Sequence, residues 1–171
     1  MNVAGGRVLS RRKSSRLVTG IVWLSAFLWI FFLARLSAEN ATATNQTSMG
    51  LALAVAHMLG IAAEHIPAVN RLLRALAHFA GFCILGGSLY AASWVLRPYP
   101  ATPVWPGLAV GSLLAVADEV KKLWIPGRHL SWLESGLNCA GVVAGMCMAL
   151  YCLGMATRWR KAAEQLLSAG R

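Results

Sequence analysis

The segment ADEVKKLWIPGRHLSWLESGLNCAGVVAG, residues 117–145, sets Asp118, Glu119, Lys121, Lys122, Arg128 and Glu134 inside an otherwise apolar chain. Paired carboxylates beside a histidine can do general acid–base work. Carboxylates shared with buried cations can instead lock helix ends together. Asp118 and Lys122 are four residues apart, so a helix puts them on one face and they are expected to pair. Glu134, Asn138, Gly141 and Gly145 follow at steps of four, three and four, which is one helical stripe. The Gly141-x-x-x-Gly145 spacing permits close backbone approach of a neighbouring helix. His78, with Gly81, Phe82, Leu85 and Gly86 roughly on its face, is expected at the same level. The candidate polar cluster is therefore His78, Asp118, Glu119, Lys122, Arg128, Glu134 and Asn138, with Gly86, Gly141 and Gly145 packing the helices that carry it.

No residue of this set is singled out as catalytic. HExxH, a phosphate-cradling loop and an activated nucleophile are all lacking from the sequence, and Ser131 and Ser135 read as ordinary hydroxyls. His78, Asp118 and Glu119, with His129, are metal-ligating by residue type, but no ligand spacing marks a metal site, and no cofactor is expected. Cys83, Cys139, Cys147 and Cys152 all lie in apolar stretches without a CxxC pair, and read as small apolar residues.

The elements that position the cluster follow from hydropathy. Only 13% of the residues are charged, about half the share usual in soluble domains. The mean hydropathy is +0.57. A net charge of +10 raises nucleic acid as a partner. The bases, however, flank apolar runs, as membrane orientation requires, so nucleic acid is set aside. The expected fold is an all-α integral membrane protein. Its four-helix transmembrane bundle has spans at about 17–36, 72–96, 104–125 and 132–156, with an interfacial or re-entrant helix between the first two. Residues 1–16 form a basic cytoplasmic tail and 157–171 a second one. The run 17–34 reads as a retained span rather than a signal peptide, its apolar core being long for the latter. Residues 37–48 read as an exposed polar loop, and 49–67 as an apolar segment stopped by Pro67. RPYPATP, from Arg97, reads as a turn.

Four spans put both termini on one side. Ten basic side chains then share that side and six the other, which makes the termini cytoplasmic and the protein multi-pass. Asp118 and Glu119 fall in the outer half of the third span. There an unpaired carboxylate would cost about 2.5–3.5 kcal/mol at mid-membrane depth, so pairing or solvation is required.

Two blocks, LRALAHFAGFCILGGSLY and the segment 117–145, resemble the VanZ-like membrane protein family. The resemblance rests on Ala77, His78, Phe79, Leu85 and Gly86, then on Asp118, Glu119, Pro126, Arg128, Glu134, Asn138, Gly141 and Gly145. Ser37, Gln46 and Ser48 resemble its serine- and glutamine-containing loop. The likeness runs over most of 17–155. Lys122 stands where the family usually has glutamine, Glu134 where it has aspartate, and Phe82 where tyrosine is common. The resemblance implies a bacterial cytoplasmic (inner) membrane protein of the cell envelope, connected with susceptibility to teicoplanin-type glycopeptide antibiotics.

The function expected on these grounds is binding of an anionic lipid or lipid-linked cell-wall precursor at the outer face. Arg128 and Lys122 would hold the head group, since a guanidinium fork matches phosphate. Two alternatives stay open. One is a small membrane enzyme using the His/Asp/Glu cluster on a lipid-linked phosphate. The other is an oligomeric transporter or proton-coupled channel. The lipid bilayer is the one partner common to all three, and homo-oligomerisation is left open.

Overall fold

The computed structural model describes residues 3–38, 41–97 and 102–169, with side chains for 16–38, 45–97 and 102–169. It is about 90% helical, without strands among the described residues. The helices are α1 (Val3–Ser37), α2 (Ala41–Leu59), α3 (Ile66–Leu96), α4 (Trp105–Lys121) and α5 (Trp132–Ala169). Short 3₁₀ turns occupy Ala63–His65, before α3, and Lys122–Trp124, after α4.

Among the described residues, three helical segments are long and apolar enough to cross a membrane: Arg16–Ser37, Ala63–Leu96 and Trp132–Ala169. Their outward faces stay apolar. Leu17, Ile21, Phe27 and Phe31 on α1 are each more than half exposed. Such a band would be a liability in water and is what lipid covers.

Backbone proximity organises the bundle. A Cβ on Gly145 would land on the Cys83 carbonyl, one on Gly86 on the Val142 carbonyl, and one on Gly141 against the Phe79 carbonyl. From Phe79–Gly141 to Cys83–Gly145 the contacts advance together along both helices, so α3 and α5 run parallel in near backbone contact. Helix α4 runs the opposite way beside them, with Gly107 facing Met146 and Gly111 facing Val142. The resulting core is Phe82, Leu85, Leu89, Tyr90, Ala115, Val142 and Met146. Helix α1 docks on α3 antiparallel, where the Trp29 indole N–H donates to the Gly81 carbonyl at 2.9 Å. An indole N–H within an apolar layer needs such a partner.

Several expected boundaries are corrected. Residues 41–48 are not loop: α2 already includes them. Pro67 does not stop the segment 49–67. Gly60, at φ 66°, ends α2 in the left-handed conformation that glycine adopts without strain. Pro67 instead opens α3 in its first turn, where its missing N–H would be unsatisfied anyway. The third apolar segment ends as an α-helix at Lys121 and tightens into the 3₁₀ turn before Ile125, which is extended. The basic stretch after 156 continues the helix of the fourth expected span, α5 running on to Ala169. The middle of the expected RPYPATP turn, 98–101, lies outside the described residues, as do the side chains of the basic stretch before Arg16.

Candidate functional site

The α1 C-terminus, the α4 C-terminus and the α5 N-terminus gather at one end of the bundle, beside the first half of α3. The local sequence explains how α5 starts. Ser131-Trp-Leu-Glu134 is a capping-box pattern, and the Ser131 hydroxyl accepts the Glu134 N–H at 3.3 Å. The reciprocal half is filled from another helix: the Ser131 N–H donates to Glu119 Oε2 at 3.2 Å. Glu134 is thereby released from the box.

Its carboxylate turns to Lys122 instead. The Lys122 ammonium donates to Glu119 Oε1 and to Glu134 Oε2, both at 2.5 Å. Lys122 and Glu119 are almost fully buried, at 2% and 1% exposure, while the Glu134 side chain is 34% exposed. The expected Asp118–Lys122 pair is not formed. Asp118 faces Lys121 at 3.6 Å, and Lys122 takes Glu119. Both pairs are three residues apart, a spacing that sets side chains side by side on a helix as four does.

Two cations close the end of α1. The Lys121 ammonium donates to the Ala34 carbonyl and the Arg128 guanidinium to the Ser37 carbonyl, each at 3.0 Å. These are the last-turn carbonyls of a helix, where positive charge is favourable.

All seven predicted cluster residues lie in this region. His78 and Asp118 offer ligand atoms within 4.8 Å of one another and of Glu119. Asn138, one turn deeper on α5 than Glu134, is fully buried, with neither its amide nitrogen nor its oxygen hydrogen-bonded. His129 is exposed on the turn before α5 and is not one of these three.

Of the clefts that border the cluster, two share residues. One, of about 500 Å³, has apolar walls from Leu33, Leu36, Leu51, Leu73 and Phe82, with Arg74, His78, Asp118 and Arg128 among its polar residues. The other, of about 330 Å³, is lined by Arg74, Lys122, Arg128, His129, Ser131 and Glu134 among others. Arg74 and Arg128 belong to both. The first volume is in the range of small-molecule sites. Arg74 was missed as a site residue by sequence reasoning. Its signal was available: it precedes His78 by four, on the same face of α3.

No protein-family model, no curated protein and no solved structure matches this chain. The geometry of the cluster and its clefts is therefore the ground on which a function rests.

Proposed function

We propose that this chain is a four-span membrane protein that binds an anionic amphiphile, a phospholipid or lipid-linked precursor, at the end of the bundle where the two clefts meet. The carrying observation is that Arg74 and Arg128 line both the apolar and the polar cleft. An acyl chain fits leucine walls, a polar head fits the cleft of Lys122, His129, Ser131 and Glu134, and a phosphate belongs at the junction. Guanidinium groups suit that position because they stay charged and present a planar fork of donors.

The fourth crossing in this proposal is α4. Its α-helical part of 17 residues and the following three-residue 3₁₀ turn together rise about 31 Å at 1.5 and 2.0 Å per residue. That matches a hydrocarbon core of about 30 Å. The alternating directions of α1, α3, α4 and α5 support an up-down order with both termini on the cytoplasmic side. Helix α2, with Leu51, Leu53 and Met58 exposed, would lie at the outer interface and roof the apolar cleft with its first half. The resemblance noted above points the same site toward the envelope of a bacterial inner membrane and to glycopeptide susceptibility.

The test is binding of phosphatidylglycerol and phosphatidylcholine to the detergent-purified chain, counted by native mass spectrometry. Preferential retention of the anionic lipid, reduced at least tenfold in Arg74→Ala and Arg128→Ala, is expected. Equal retention of both lipids, or retention untouched by both substitutions in folded protein, would remove the proposal.

A further inference from the structure

We propose that His78, Asp118 and Glu119 form a binding site for a divalent transition-metal ion. The three come from two packed helices, and one ligand atom of each lies within 4.8 Å of the others. Donors on one tetrahedral ion with bonds of about 2.0–2.2 Å stand roughly 3.3–3.6 Å apart. A contraction of up to roughly 1.2–1.5 Å therefore completes the site. Asp118 can supply part of it, because its ion pair with Lys121 is long, at 3.6 Å.

One imidazole nitrogen with two carboxylate oxygens is the donor set of Mn²⁺, Fe²⁺, Co²⁺ or Zn²⁺ rather than of Mg²⁺ or Ca²⁺, which take oxygen throughout. Burial favours a fixed ion over a solvated surface one. Glu119 is 1% exposed and the Asp118 side chain 9%.

A second, independent observation lies one turn deeper in the bundle. The register of α4 against α5 places Asn138 level with Ala115, one turn inside Asp118 and Glu119; the register of α3 against α5 places it level with His78. There the Asn138 amide is fully enclosed with both polar atoms unpartnered. Nearly all buried polar groups in proteins have a partner. In this proposal water bound to the ion, reaching one turn inward, would supply the missing one.

The Lys122 ammonium is the group that opposes a cation here. It is already shared between Glu119 Oε1 and Glu134 Oε2, so two carboxylates offset its charge. Glu119 Oε2 accepts the Ser131 N–H, and each carboxylate oxygen keeps a further lone pair for an ion. His78 and Asp118 also line the apolar cleft, so an ion between them would present its remaining coordination positions there.

The test uses the full chain in detergent, stripped with chelator and dialysed separately against Mn²⁺, Co²⁺ and Zn²⁺, with bound metal measured by mass spectrometry. The expected result is one ion per chain for at least one metal, and Co²⁺ absorption bands that report a nitrogen ligand. His78→Ala and the isosteric Asp118→Asn should each weaken binding at least tenfold, while the His57→Ala/His65→Ala double variant should bind as the wild type. Arg74→Ala should lose lipid and keep metal, which separates this proposal from the lipid one. Wild-type protein that binds none of the three metals, or binding unchanged in Asp118→Asn with helicity intact by circular dichroism, would overturn it. Should His78→Ala not fold, nitrogen hyperfine coupling in the Mn²⁺ or Co²⁺ resonance spectrum of the wild type decides, its absence counting against the site.

Discussion

Replacing Gly145 by alanine adds one carbon where the structure has none to spare. Its position falls on the Cys83 carbonyl oxygen, with Cys83 Cα at 3.0 Å. Both belong to the backbone of α3, which cannot turn aside as a side-chain tip would. Helices α3 and α5 must therefore separate locally, and Gly86 and Gly141 lie in the same seam. Overpacking a core costs about 1–3 kcal/mol when side chains can adjust. Against rigid backbone the upper end, about 3 kcal/mol, is expected, roughly a hundredfold in the folded-to-unfolded ratio. Gly154→Ala is the matched control. It lies on the same helix, with nothing within 4 Å of its added carbon. There the higher helix propensity of alanine should be neutral or stabilise by about 0.5–1 kcal/mol. Reversible unfolding in mixed detergent micelles, followed by circular dichroism, measures both. A Gly145→Ala protein as stable as the Gly154→Ala protein would refute the close-packed seam.

Three further outcomes follow from named contacts. Lys122→Met should destabilise by about 3–5 kcal/mol in the same unfolding assay, because it strands two carboxylates around a buried position; a loss below 1 kcal/mol would mean that Glu119 and Glu134 find other partners. Ser131→Ala removes the hydroxyl that receives the Glu134 N–H and should cost about 1 kcal/mol, with no effect on stability counting against the cap. In a cysteine-free background, an impermeant maleimide applied outside cells should label His129→Cys and spare Val104→Cys until the membrane is permeabilised. Labelling of both from one side would show that α4 does not cross.

The sequence made some of this legible and hid the rest for physical reasons. Apolar runs around α1, α3 and α5 announced themselves because lipid-length helices leave a strong hydropathy trace. The polar region 118–138 stood out because charge within such runs is rare. The partner of Lys122 was not legible. A helix brings neighbours at both three and four residues near Lys122, here Glu119 and Asp118, and spacing alone does not choose between them. Glu119 completing the cap of α5 joins positions twelve apart across a turn, which no helical period reveals. Pro67 was ambiguous in the same way: a proline ends one helix or begins the next, and here the positive φ available at Gly60 had already ended α2. Arg74 looked like one more flanking base until α1 and α2 closed the apolar cleft beside it.

The most direct test of the lipid site is to see where a lipid lies. A phosphatidylglycerol carrying a photoreactive diazirine in its acyl chain would be reconstituted with the wild-type chain, irradiated, and its cross-links mapped by peptide mass spectrometry. Cross-links concentrated at Leu33, Leu51 and Leu73, and lost in Arg74→Ala and Arg128→Ala, are the predicted result. Cross-links spread evenly over the lipid-facing surfaces of α1, α3 and α5, unchanged by either substitution, would contradict the site.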